Sequence, residues 1–444
     1  MESFDPISVG EIIRKVRKEK GLRLEDLADE HISTATISNV ERGMSQVRLE
    51  KTHYILEKLG ISAEELPKHI LRQQKAQNHV QFVLDIAESL SKMGQADKSF
   101  RILKGINLTD DHPCVPTFHW LLGSYYLSKS KFKKAEQCFH NAIRISTKGE
   151  FSEKTNIGAH SFKDLGRCSY YQNELQQAIV YTDSGLGAYN PEGERRYVKY
   201  ILLRNKAIYL ERLGRTIEAL KIVQDVWDEI DQIQHSETVL SFYWLKAELM
   251  RKSSAFQDAI QTAQEGLRIA SLNNIQDSSV DLWVTLAGSY SALKDWEKAE
   301  ICFEIAMDLS EEKDNRYIRS CIQLAELYKK KGEWGKSEEN LIKAIYKAEK
   351  YNCSFYLADA LLSMGELHLS RGRKVEAVDQ LREAIDLAEY YGYADKEYKA
   401  WYKLAQAYEN INQKEFETCT RNMYRVQRKI NERWKRNEIS WSVI

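Results

Sequence analysis

The chain has 444 residues, with 65 Lys/Arg balanced by 65 Asp/Glu, and only 5 prolines and 21 glycines. So few helix breakers, with 29% charged and 43% hydrophobic residues, describe amphipathic helices with wet outer faces. Collagen-like, proline-rich and mostly disordered classes are excluded, and zero net charge confines any nucleic-acid binding to a local surface.

Residues 1–66 read as a separate module of short helices. Ile12, Ile13 and Val16 have helical spacing, and Gly21 can end that helix. Leu24, Leu27 and Ala28 open a second helix. Ser33 is a good N-cap for a third, carrying Thr34 to Val40 and stopping at Gly43. Lys51 to Leu59 forms a fourth, with Ile55, Leu56 and Leu59 turned inward. Short helices joined by three- or four-residue turns suggest a helix-turn-helix unit. Residues 1–70 hold 11 Lys/Arg and 13 Asp/Glu, so nonspecific affinity for DNA is expected to be low.

A polar stretch over 67–80 reads as a helical linker. From 81 to 435 one pattern is written nine times. A small residue recurs at Ala87, Gly123, Gly166, Ala207, Ala247, Ala287, Ala325, Gly365 and Ala405. Twelve residues after each anchor stands a second small one: Ser99, Ala135, Ala178, Ala219, Ala259, Ala299, Ser337 and Ala377. These are the close-approach positions of tetratricopeptide repeats, in which two helices, A and B, pack as a hairpin. The anchors lie 36–43 residues apart, against about 34 in the standard repeat. The ninth repeat breaks the pattern at Glu417. Its second helix, bearing Arg421, Arg425, Arg428 and Lys429, is expected to cap the array, with 436–444 a tail. The fold expected is therefore all-α: a helix-turn-helix, then a right-handed superhelix of about nine repeats.

Stacked repeats of this kind line a concave wall with their A helices. Residues two and three before each anchor, and one after, are expected on that wall. Arg204 and Asn205, Trp244, Thr285, Gln323, and then Arg167, Glu248 and Glu326 are the candidates to hold an extended peptide. Asn205 is the only asparagine at its position in the nine repeats, and its amide can both donate to and accept from a peptide backbone. Arg204 can pair with a peptide carboxylate. Trp120 and Trp244 are equally suited to packing between repeats.

No HExxH, GxxxxGK[ST], GxGxxG or nucleophile elbow occurs, so no catalytic group is expected. Seven scattered cysteines without a CxxC pair fit reduced thiols. No apolar run approaches the roughly 18 residues of a membrane span, and Met1-Glu2-Ser3-Phe4-Asp5 has no basic-then-apolar leader. A cytoplasmic protein without metal or cofactor is expected.

Gly10, Ile13, Arg17, Lys20-Gly21-Leu22, Leu27-Ala28, Ile37-Ser38 and Glu41-Arg42-Gly43 resemble the Cro/repressor (XRE) helix-turn-helix. The resemblance implies that the third helix enters the major groove. Thr34, Ala35, Thr36, Ser38 and Asn39 would then face bases or phosphates, with Arg42, Arg48 and Lys51 on the backbone. It also implies an ion pair between Arg17 and Glu41. Leu24 departs from the phosphate-contacting Gln usual there. This domain followed by nine long repeats resembles the Rap–Rgg–NprR–PlcR–PrgX superfamily, most of all its NprR branch. That implies a transcription regulator gated by a short signalling peptide in quorum sensing, binding operator DNA as a homodimer or higher oligomer. The alternatives are a protein-binding regulator of a response regulator, as in Rap, and a tetratricopeptide scaffold.

Overall fold

The structure is a computed structural model that describes residues 5–44, 49–62, 65–108, 112–147, 155–312 and 314–439. It is all-α, and it divides into two compact units, residues 1–152 and 153–444.

The first unit begins with α1 (Pro6–Glu19), α2 (Leu24–Leu27), α3 (Thr34–Glu41) and α4 (Leu49–Lys58). Asp5 caps α1 by accepting from the amides of Ile7 and Ser8, and Ser33 caps α3 by accepting from Thr36 N at 3.2 Å. Gly21 and Gly43 end their helices at φ +70°, the left-handed conformation that glycine adopts without strain. Ile12, Ile13, Leu27, Ile37, Val40, Ile55, Leu56 and Leu59 form one small core. Gly10 is required there: a Cβ on it would lie 2.3 Å from Val40 O.

A single helix, α5 (Leu66–Lys92), follows and carries the first repeat anchor, Ala87. It pairs with α6 (Ala96–Lys104), and α7 (Val115–Ser128) pairs with α8 (Phe132–Ser146). Gly123 lies on Phe139, where a Cβ would come within 2.5 Å of the ring. Trp120 is buried in this unit.

Among its described residues the second unit has seven A/B hairpins. The A helices are α9 (Ile157–Tyr171), α11 (Val198–Arg212), α13 (Ser236–Lys252), α15 (Val280–Ala292), α17 (Asn315–Lys331), α19 (Ser354–Ser370) and α21 (Ala394–Tyr408). Their partners are α10 (Leu175–Gly187), α12 (Thr216–Trp227), α14 (Phe256–Leu272), α16 (Trp296–Asp308), α18 (Trp334–Lys350), α20 (Lys374–Tyr391) and α22 (Gln413–Ile439). Each A helix touches the next A helix, whereas each B helix meets its own A helix and the following one. The A layer is therefore the tighter of the two and lies on the inside of the curve.

One backbone device recurs through both units. Seven residues after each of the first eight anchors the chain turns at positive φ, at Gly94, Ser130, Asn173, Gly214, Ser254, Lys294, Gly332 and Gly372. The amide of each turn residue returns to a carbonyl in the last turn of its A helix, as Lys294 N does to Ser291 O. In the ninth pair α21 stops earlier and the turn falls at Asn410. Glu417 consequently faces solvent and Cys419 takes a buried slot in the core. This is the physical basis of the break at Glu417. On the same helix Arg425 pairs with Glu389 and Glu397.

Candidate functional site

Two surfaces bring together the residues singled out from the sequence, one in each unit. In the first unit, α3 buries Ile37 and Val40 and turns its other side outward. Ala35 and Arg42 are exposed, and Thr34, Thr36, Ser38 and Asn39 are half-buried. The helix is held by Arg17, whose Nε donates to Glu41 Oε1 at 2.5 Å and whose Nη2 donates to Oε2 at 2.9 Å. The remaining guanidinium nitrogen, Nη1, donates to Leu22 O at 2.8 Å. This fork-to-fork pair fixes α1 against α3, and the Glu41 hydrogen bond holds Arg17 still more firmly charged. Several cations of the domain are already engaged. Lys51 Nζ donates to His31 O at 2.6 Å, Lys20 Nζ to Leu59 O at 2.6 Å, and Arg42 Nη2 to Ser38 Oγ at 2.9 Å. Arg48 lies outside the described residues.

In the second unit the A helices carry a groove of about 620 Å³. Trp244, Glu248, Gln323 and Glu326 line it, together with Arg212, Arg319, Tyr356, Asp359, Lys396 and Lys403. Arg251 grips Glu248 through two bonds of 2.7 and 2.9 Å. Burial alone would raise the Glu248 carboxyl, but Arg251 keeps it below its ordinary range. Thr285 is fully buried and donates to Glu248 Oε2 at 3.2 Å, so it positions that carboxylate and does not present itself to the groove. Glu326 pairs with Lys329, which also reaches Glu366 at 3.2 Å.

Arg167, Arg204 and Asn205 form a separate cluster on α9 and α11, with Lys163 and Asp164 beside them. Asp164, 2% exposed, lies 3.2 Å from Lys163 Nζ and 3.1 Å from Arg167 Nη1. Burial would raise its carboxyl, yet Lys163, His160 and Arg167 hold it ionised, well below the usual range. Arg204 Nη2 and Nε donate to Asn205 Oδ1 at 2.9 and 3.2 Å. Three polar atoms on the wall are buried with no hydrogen-bond partner among the described residues: Asn205 Nδ2, Trp244 Nε1 and Gln323 Oε1. Such orphans are uncommon in folded proteins, since each costs about 1–3 kcal/mol.

Sequence reading missed Arg319, Asp359 and Lys399, six residues before their anchors, and Tyr356 and Lys396, nine before. They lie about one to two helical turns from the positions two and three before each anchor, on the same face. Extending the 3.6-residue period in both directions from each anchor would have found them.

The helix-turn-helix geometry of the first unit agrees with comparison to known proteins. Residues 13–66 match the helix-turn-helix family. No curated protein matches the chain in sequence. Among solved structures, a Rap protein complexed with competence and sporulation factor aligns with 80% of this chain and 99% of its own, at 15% identity and TM-score 0.59. The apo form of the quorum sensor NprR from B. thuringiensis covers 79% of this chain and 98% of its own, at 16% identity and TM-score 0.56. The apo form of RapI aligns similarly, at 15% identity and TM-score 0.54. The chain thus joins a helix-turn-helix DNA-binding domain to stacked tetratricopeptide-like helix pairs of the fold seen in those proteins. No described helix is long and apolar enough to cross a membrane, and no described group of side chains is arranged to hold a metal ion.

Proposed function

We propose that this protein is a cytoplasmic transcription regulator whose operator binding is gated by a short peptide held in the groove of the second unit. The observation that carries the reading is the set of buried, unpartnered groups on the A-helix wall. Asn205 Nδ2 and Trp244 Nε1 are donors and Gln323 Oε1 is an acceptor. An extended peptide offers carbonyls and amides of matching kind along its length. At about 3.3 Å per residue, five to ten residues span some 17–33 Å, the reach of a few repeats. The likeness to a Rap protein complexed with competence and sporulation factor, and to the quorum sensor NprR, supports the same reading. A helix-turn-helix of this type reads paired half-sites as a dimer, so the active species is a homodimer or higher oligomer.

Peptides eluted by acid from full-length protein purified from its native cells, then sequenced by mass spectrometry, test the proposal. One short peptide should be enriched with the wild type and recovered in clearly smaller amount with Asn205→Ala. Its absence from both would overturn the reading, as would light scattering that found only monomer with operator DNA present.

A further inference from the structure

Most of the charges in the groove are matched. Arg251, Lys252, Arg319, Lys329, Lys396 and Lys403 each meet a carboxylate. The cluster on α9 and α11 is different. Lys163, Arg167 and Arg204 stand together, and among the described residues Asp164 is the single carboxylate in ion-pair contact with any of them. Arg204 has no ion-pair partner among the described residues: its Nε and Nη2 donate to the neutral Asn205 side-chain oxygen. Glu237 pulls on it from the next repeat, but less strongly than Arg167 repels it. His160 adds no charge, because burial and the neighbouring Lys163 push its pKa down to about 4. The cluster therefore carries three positive charges against one negative.

Its donors are also unfinished. Asn205 is 4% exposed, and with its oxygen taken by Arg204 it presents only the bare Nδ2. Burial lowers Lys163 to about 8, as expected for an ammonium short of counter-charge. Lys163 and Arg204 are largely shielded from water, whereas the Arg167 side chain is 43% exposed and marks the open side.

We infer that Lys163, Arg167, Arg204 and Asn205 form a carboxylate-binding subsite on the A-helix wall, and that the cognate ligand must carry an anionic group there. The inference rests on the peptide reading only for the source of that group, either an acidic side chain or a free C-terminus. The site itself follows from the charge imbalance. A bound carboxylate would supply the missing negative charge and accept from Asn205 Nδ2. Until it binds, the cations repel one another at a cost to the empty protein, as functional sites often do.

Two measurements on the full-length protein separate the possibilities. In the first, unfolding midpoints of the wild type and Arg204→Met are compared in sodium chloride and in sodium phosphate at equal ionic strength. Arg204→Met should lose at least half of the phosphate-dependent rise that the wild type shows. Equal phosphate responses would overturn the subsite. In the second, random hexapeptides, as free acids and as C-terminal amides, are selected on the wild type. Retention of free acids alone identifies the C-terminus as the source, whereas amides sharing one fixed Asp or Glu identify a side chain. Arg204→Glu should abolish either preference. Hexapeptides retained with no acidic or C-terminal preference would sink the subsite and leave the peptide reading standing. A phosphate effect lost in Arg204→Met, with no hexapeptide retained, would do the reverse.

Discussion

Arg17 with Glu41, and Lys163 with Asp164, Arg167 and Arg204, are two charge clusters of similar chemistry finished in different ways. In the first, both carboxylate oxygens and all three guanidinium nitrogens are occupied, and the net charge is zero. In the second, one carboxylate serves two cations, a third cation leans on a neutral amide, and a buried N–H is bare. A closed cluster serves the fold, because nothing remains for a ligand to satisfy. An open cluster is held in place by the surrounding repeats and keeps its unmet demand for a partner.

The largest expected effect comes from opening the closed cluster. Glu41→Ala strands a buried guanidinium and should cost the helix-turn-helix about 3–5 kcal/mol, read by urea unfolding. A cost below ~1 kcal/mol would mean that Arg17 finds another partner, and the contrast would weaken. On the outer face of the same helix, Asn39→Ala should leave that unfolding curve unchanged while weakening operator binding by about 1–3 kcal/mol; gel shifts showing unaltered affinity would remove Asn39 from the contact. At the open cluster, Asn205→Ala should lower affinity for the cognate peptide about tenfold, near 1.4 kcal/mol, and leave peptide-free DNA binding intact, as calorimetry would show.

A fourth test uses pH. The native pKa of Lys163 is about 8, below its unfolded value of about 10.4. Between those values the unfolded chain binds more protons, so stability should rise with pH from about 8 to 10.5. Lys163→Met should flatten that rise. The smallest expected effect is at a turn. Lys294 sits at φ +62°, so Lys294→Gly should gain up to about 1 kcal/mol in thermal unfolding.

The fold was legible because its rules are local. Anchor and second small residue, Ala287 and Ala299 for instance, are spaced by hairpin geometry alone, and Ser33 and Gly43 announce the ends of α3. The Arg17–Glu41 pair was legible through resemblance to a family in which those positions meet. The open cluster was only half legible. Arg167, Arg204 and Asn205 fall on the expected face, but the shortage of acid around them depends on which side chains of two adjacent A helices come together. Thr285 shows the same limit: its position on the wall was foreseen, but not its complete burial beneath Glu248. Groove residues one or two turns further along the same face, such as Asp359 and Lys396, obey the same 3.6-residue period but lie beyond the positions next to each anchor.

The left-handed turn seven residues past each anchor has a consequence for how such arrays vary. From anchor to turn to second small residue, the count is fixed at twelve in eight repeats. Anchor-to-anchor distance, by contrast, ranges from 36 to 43. All of that slack falls between the second small residue and the next anchor, shared between the B helix, which runs from nine residues in α6 to eighteen in α20, and the connection that follows it. The tip of each hairpin, from anchor to second small residue, is thus an invariant unit, and the far ends of the helices with their connections are where length is added or removed. Insertions can change the pitch of the stack one joint at a time without disturbing the fit inside any pair, so groove shape can diverge between relatives while the hairpin signature stays readable.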